Sequence, residues 1–359
     1  MKRRKLSRRH VLQGALQSAS GLALGTVFAS AVRADAPPAE AITPQLIEAA
    51  RKEGKVVWYT AIDLSVAEKI AGGFKEKFGG IELRVERTGA ERVFQRIGQE
   101  YASNVHAVDV ANSSDAAHLL TWKRQDMLLP YVPEDVAKYY KPEHRDVDGT
   151  YAGFRATLSP MAYNTKLVKA EDAPASFKDL LDAKWKGKIV KAHPGYSGTI
   201  LTATFEMVRD IGWDFYENLA KQNIMQVQSA TDPPKKLSLG ERSVMADGTE
   251  YNIFLLKESG QPVEAVYPTE GTPFIVGPNG IFKAAPNPNA AKLFQNYCFT
   301  PEAQQIIIDA GGLRSLHAQV KEHPGRKPLA EIKLMKEDAE GAEKQSEEIK
   351  ARYQKLFHV

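Results

Sequence analysis

At 359 residues, 43% of them hydrophobic and 26% charged, the chain is long enough for two cores, and this balance excludes a disordered or low-complexity protein. The formal charge of +4 belongs to the first 34 residues, which hold seven basic side chains (Lys2, Arg3, Arg4, Lys5, Arg8, Arg9, Arg33) and no acidic one; removing those seven charges turns +4 into −3. What remains has no basic stripe interleaved with aromatics, so no nucleic-acid partner is expected.

The chain opens with Ser7-Arg8-Arg9-His10-Val11-Leu12, followed by a Gly- and Ala-rich apolar run from Leu12 to Val32 that Asp35 and Pro37-Pro38 end. This pattern predicts a twin-arginine signal peptide over residues 1–34, cleaved after a small residue at Ala31, Ala34 or Ala36. No later run approaches the ~18 apolar residues of a membrane span, so the mature chain is expected to be a soluble periplasmic monomer.

Residues 44–53 read as a helix and Lys55 to Thr60 as a buried strand. An amphipathic helix, Ser65 to Phe78, follows, with Val66, Ile70, Phe74 and Phe78 on one face. Strand Ile81 to Glu86 leads into helix Glu91 to Tyr101, and strand Ala107 to Ala111 into helix Ala116 to Gln125. Three consecutive β–turn–α units predict a parallel, doubly wound α/β sheet, which binds ligands at the carboxyl ends of its strands. Residues 134–150 read as a polar surface excursion. Phe154 to Asn164 is extended, and its Pro160 fits an edge or a bend. A second α/β unit runs through strand 188–192, helices 200–210 and 214–221, a break at Thr231-Asp232-Pro233-Pro234, helix 235–239, strand and turn 244–249, and helix 250–258. Extended runs 263–267 and 274–282 lead back to the first unit. Cys298, the only cysteine, sits in an apolar helical run and reads as core, which excludes an internal disulfide; the eight histidines form no zinc-type pair. The last 30 residues form a charged amphipathic helix with Ile349, Tyr353, Leu356 and Phe357 on a docking face.

Pro194-Gly195-Tyr196-Ser197-Gly198-Thr199 joins a strand to a helix, so the free amides of Ser197, Gly198 and Thr199 point into one small volume that attracts an anion. Glycine allows close backbone approach and the hydroxyls add donors. Other strand-to-helix turns repeat the design: Thr60 to Asp63, Thr88 to Glu91, Ser113-Ser114 and Gly248-Thr249. Arg87 and Arg155 are candidate counter-charges, and Tyr59, Tyr196 and Tyr251 candidate flanks for an organic body.

Four segments together resemble the bacterial extracellular solute-binding proteins of ABC importers, in the branch of ferric-iron-binding periplasmic proteins. They are Ala162-Tyr163-Asn164-Thr165-Lys166-Leu167-Val168, Phe177 to Ile189 around Trp185-Lys186-Gly187, Ser197-Gly198-Thr199, and Asn287 to Phe294 with Thr300-Pro301-Glu302 following. The resemblance implies a two-lobed periplasmic-binding-protein fold of type II character, with two crossover strands and a ligand cleft between the lobes. It places 37–155 and 275–359 in lobe 1 and 156–274 in lobe 2, and implies delivery to an inner-membrane permease. It also implies no enzyme activity and no cofactor.

For the ligand, the resemblance carries over the anion cradle at Ser197-Gly198-Thr199, but only one of two adjacent tyrosines, at Glu250-Tyr251. A small carboxylate or phosphate compound is therefore expected. Its contacts would be Tyr59, Thr60, Asp63, Thr88, Ser113, Ser114, Arg155, Tyr196, Ser197, Gly198, Thr199, Glu250 and Tyr251. The alternative is ferric iron, with a synergistic anion, held by the oxygens of Asp63, Glu250 and Tyr251. A ligand sensor and a cleft enzyme are further classes on the same framework.

Overall fold

The computed structural model describes residues 36–359, so the leader reading at residues 1–34 lies outside the described residues. The first passage of chain forms α1 (Pro44–Glu53), β1 (Lys55–Thr60), α2 (Leu64–Lys77), β2 (Glu82–Arg87), α3 (Ala90–Ala102), β3 (Val110–Asn112), α4 (Ala116–Arg124), α5 (Glu134–Tyr139) and β4 (Tyr151–Leu158). The second forms β5 (Met161–Asn164), β6 (Ile189–Ala192), α6 (Gly198–Ile211), α7 (Trp213–Leu219), β7 (Met225–Val227), α8 (Asp232–Ser238), β8 (Val244–Met245), α9 (Glu250–Glu258) and β9 (Val263–Val266). The third forms β10 (Phe274–Ile281), α10 (Pro288–Cys298), α11 (Pro301–Asp309) and α12 (Ala339–Phe357).

These strands make two five-stranded sheets, ordered β2-β1-β3-β10-β4 and β7-β6-β8-β5-β9. In each, three strands run parallel and feed helices, as expected from the β–turn–α units. The wholly parallel sheet expected from sequence is corrected, because the strands that cross between the lobes join each sheet antiparallel. The crossovers are β4 to β5, which turns at Ser159-Pro160, and β9 to β10. Proline is tolerated there because β4 is an edge strand and the bend needs no ladder hydrogen bond.

Local chemistry explains the element boundaries. Thr43 caps α1 and Pro44 occupies its first turn, while Gly54 takes the left-handed conformation (φ 74°) that lets β1 begin at the next residue. The break expected at Thr231 to Pro234 is instead the start of α8, whose prolines fall in the first turn, where no amide is needed. The polar excursion at 134–150 contains α5, which buries Val136 and is followed by buried Tyr140.

The first lobe's main core gathers Trp58, Phe74, Phe154, Phe294, Tyr297 and Phe299, with edge-to-face contacts among the rings. Cys298 is fully buried within it, and burial pushes its thiol well above the ordinary value, so it is no nucleophile. The second lobe packs Phe177, Trp185, Phe215 and Tyr216 around β5, β6 and β8. The last helix, α12, meets both lobes. That helix lies across α4 of the first lobe and α6 of the second, because its apolar face is buried in the second lobe while Glu343 and Lys350 reach the first.

Candidate functional site

Between the two sheets a small cavity, about 30 Å³, is closed by the beginnings of helices. Gly89 and Ala90 come from the start of α3, Ser114 from the start of α4, Ser197 and Thr199 from that of α6, and Thr249 and Tyr251 from that of α9. Ala61, before α2, and Ser229, Ala230 and Thr231, before α8, complete the wall. Each β–turn–α unit ends its strand at this cleft, and the capping residues hold the turns in place. Asp115 accepts from the Ala117 amide at 2.9 Å and Ser197 from the Ile200 amide at 3.4 Å. Helix starts aimed at one point sum their positive ends.

Two arginines and no carboxylate line the cavity. Arg155, on β4, is 3% exposed, and its only protein hydrogen bond among the described residues runs from Nη1 to Thr157 Oγ1 at 2.7 Å. Its Nε is buried without a partner, and no carboxylate pairs with it among the described residues. Burial lowers its pKa to about 10, with the Tyr251 hydroxyl opposing that shift. Gly277, opposite it on β10, makes room for the guanidinium, since a Cβ there would lie 3.1 Å from Arg155 Cζ. Arg87 donates from Nε to the Ile62 carbonyl at 3.0 Å, and its side chain is otherwise exposed at the rim. Burial raises Tyr251 to about 12, partly offset by Arg155, so its phenol stays protonated. A buried guanidinium without a carboxylate partner among the described residues, set beside hydroxyls, helix-start amides and phenols, has the charge and the donors that suit an anion.

Of the residues expected at the site, the structure brings Ser114, Arg155, Tyr196, Ser197, Thr199 and Tyr251 to this cavity. Tyr196 is 44% exposed and stands at the rim. The others point elsewhere. Tyr59 lies in the core on the α3 side of the sheet, donates to Glu100 at 2.9 Å and carries Arg96 over its ring. Thr60 Oγ1 accepts from the Ile62 amide, and Thr88 extends the β1–β2 pairing through its own amide. Asp63 caps α2, accepting from the Ser65 amide and hydroxyl. Glu250 turns away from the cleft into a buried cluster with Arg314, Arg326 and Tyr267. Of the Asp63, Glu250 and Tyr251 set expected for ferric iron, Asp63 and Tyr251 are neighbours, the Asp63 backbone meeting the Tyr251 phenol, while Glu250 is turned away. One carboxylate is spent on a helix cap, the other on two guanidinium groups.

Gly198 has a different neighbour from the one expected. A Cβ at this position would lie 2.7 Å from Asp115 Cβ and 3.1 Å from Ser114 Oγ, so the missing side chain admits the opposite lobe, where sequence reading placed the ligand. Gly198→Val is thus expected to hold the lobes apart at an overpacking cost of about 1–3 kcal/mol. Small-angle scattering should show a larger radius of gyration with unchanged circular dichroism; an unchanged radius would mean that the α4 turn yields.

Sequence reading missed the Ser229 to Thr231 turn. Its signal, two hydroxyl residues ahead of Asp-Pro-Pro, is that of a helix start after a strand, but β7 is only three half-buried residues long. It also missed a hydrogen-bonded chain behind the α4 start. Ser113 Oγ meets His118 Nδ1 at 2.9 Å, and His118 Nε2 meets Glu91 Oε1 at 3.0 Å. The order resembles a catalytic triad, but Ser113 is fully buried and its oxygen accepts from the Asp115 amide. It orients the turn and offers no nucleophile.

The sequence profile of the bacterial extracellular solute-binding proteins matches residues 69–333. The chain belongs to this family. Among its relatives, iron uptake protein A1 of Synechocystis is 25% identical over 245 residues, covering 64% of this chain and 66% of that one. The structure of the solute-binding protein AfuA from Actinobacillus pleuropneumoniae, with fructose 6-phosphate bound, superposes with a TM-score of 0.78 at 25% identity, covering 85% of this chain and 99% of that one. Iron-bound HitA from Pseudomonas aeruginosa shares the fold, with a TM-score of 0.73 at 22% identity over 83% of this chain and 99% of that one. No described helix of this solute-binding protein is long and apolar enough to cross a membrane.

Proposed function

We propose that the protein is the periplasmic, monomeric solute-binding component of an ABC importer, and that it captures a small organic anion with a phosphate or carboxylate head for delivery to an inner-membrane permease. The observation that carries this reading is Arg155, a buried cation without a counter-charge, facing a cavity lined by helix starts and by no carboxylate. A dianionic head would bring the missing charge and fill the free amide and hydroxyl donors. The sugar phosphate bound by AfuA is a ligand of this chemistry. Binding without turnover fits the sealed positions of Cys298 and Ser113.

Ferric iron, suggested by the iron-binding relatives, suits the cavity poorly. A trivalent cation needs anionic oxygens, and this wall offers guanidinium groups, helix amides, neutral hydroxyls and the phenols of Tyr196 and Tyr251, the latter held protonated. Isothermal titration of the mature protein with fructose 6-phosphate, inorganic phosphate, citrate and ferric citrate separates the readings. The phosphate compounds should bind. Heat only from ferric citrate, with a visible phenolate band that Tyr251→Phe removes, would replace the anion by iron.

Export is proposed to follow the twin-arginine route, on the strength of Ser7-Arg8-Arg9 ahead of a weakly apolar run. Changing both arginines to lysine should leave the precursor in the cytoplasm by fractionation and immunoblot. Normal export of that variant would point to the general secretion route.

A further inference from the structure

Helix α12 touches both lobes, but by different chemistry on each side. Ala342 and Ile349 pack with Leu201 and Phe205 of α6, and Tyr353 enters the second lobe's core and donates to Gln226 at 2.9 Å. Toward the first lobe its contacts are polar. Glu343 accepts from Thr121 at 3.0 Å and pairs with Arg124, and Lys350 Nζ lies 2.8 Å from Glu91 Oε2. Apolar burial holds a helix in place, whereas polar groups that pair across the lobes can exchange their partners for water when the lobes part. The helix is therefore carried by the second lobe.

Glu91, which receives Lys350, is the second residue of α3 and is itself 4% exposed. Its other oxygen meets His118 Nε2, and through His118 and Ser113 Oγ the chain of hydrogen bonds ends on the Asp115 amide at the start of α4. One ammonium from the second lobe thus completes a buried network that holds two of the helix starts lining the cavity. Burial alone would raise the Glu91 carboxyl, but the hydrogen bonds and charges of His118 and Lys350 outweigh it and hold it at about 2.

We infer that α12 is a latch carried by the second lobe, in which Lys350 acts as a positioning residue that docks on Glu91 and sets the α3 and α4 starts when the lobes close. The part of this inference that concerns positioning for a ligand rests on reading the cavity as the anion site; the latch itself does not. Lys350 makes no contact with the cavity, and its effect passes through Glu91.

Lobe separation measures the latch directly. Spin labels on Glu76→Cys in the first lobe and Lys221→Cys in the second, both exposed sites, can be introduced while the native Cys298 stays buried and unlabelled. Electron-electron double resonance on the full mature chain, with and without saturating inorganic phosphate, then reports closed and open distances. Lys350→Met is expected to lower the closed-to-open ratio about tenfold, in keeping with a charge-assisted hydrogen bond, with Lys350→Arg restoring most of it. Glu343→Gln, a second change at a partly buried site that touches neither Glu91 nor the cavity, should shift the ratio in the same direction. Distributions in Lys350→Met and Glu343→Gln identical to the unaltered lysine and glutamate in both conditions would overturn the latch. Phosphate that fails to shift the unaltered protein, while Lys350→Met still opens it, would count against the anion site and leave the latch standing.

Discussion

Replacing Arg155 by methionine is expected to abolish anion binding while leaving the ligand-free protein as stable as before, or more so. The two effects have one cause. A guanidinium that is 3% exposed, with an orphan Nε and no carboxylate partner, lowers the stability of the empty protein. The same group gains its full electrostatic value when a dianion enters a site that excludes water. Methionine matches the length and apolar stem of the side chain and removes the buried charge, a replacement that is often neutral or stabilising. Loss of a desolvated charge partner from a bound anion costs about 2–5 kcal/mol, which is from some thirtyfold to several thousandfold in affinity. Titration calorimetry with fructose 6-phosphate, paired with thermal unfolding of the ligand-free variant, checks both halves. Unchanged affinity would remove Arg155 from the site. A sharp drop in melting temperature would recast it as a structural residue bonded to Thr157.

Glu250→Gln should act on stability. The Glu250 carboxylate receives Arg314 Nη2 at 2.7 Å and Nε at 3.0 Å, Arg326 Nη2 at 2.6 Å, and the Tyr267 hydroxyl at 2.5 Å. Arg314 also pairs its backbone with Ala156 of β4, and Tyr267 follows β9, so the cluster ties together the two crossovers between the lobes. Glutamine keeps the shape but leaves Arg326 without a carboxylate partner among the described residues and Arg314 with Glu322 alone, at a cost of about 3–5 kcal/mol. Burial pushes the Glu250 carboxyl up, yet the Arg314 hydrogen bonds and the charges of Arg326 and Arg314 outweigh it, so its pKa lies below the ordinary 4.5. A carboxylate depressed on folding contributes stability that is fully present above its unfolded pKa and is lost as pH falls through its folded one. The stability gap between the native protein and Glu250→Gln should therefore be constant above about pH 5 and shrink below the ordinary carboxylate value. Urea unfolding at a series of pH values measures this gap. A gap that stayed constant into strong acid would place the carboxylate's stabilising role elsewhere.

Much of the scaffold could be read along the chain, because its signals act over one turn or one strand. Thr43-Pro44 before α1, the run Lys55 to Thr60 and the spacing of Val66, Ile70 and Phe74 depend on capping, alternation and the helical repeat, all of which are local. The same local logic marked the turns at Ser114 and Ser197 as helix starts with free amides. Arg155 was visible as a candidate, but its lack of a partner was not. Tyr59 misled for a physical reason: in β1 five consecutive residues are buried, so alternation no longer tells which face looks toward the cleft.

Tertiary structure alone decided what depends on residues far apart in sequence. Glu250 meets Arg314 and Arg326, 64 and 76 positions away, and that pairing removes it from the cleft. Gly198 faces Asp115 across the lobes, and α12 crosses from one lobe to the other through Glu343 and Lys350. Composition and periodicity set which segments become helices, strands and caps, because backbone hydrogen bonding is satisfied within a few residues. Which charges find partners, and which one is left without, is set when the two lobes bring distant side chains into one dry space, where an unpaired charge is costly and a paired one is spent.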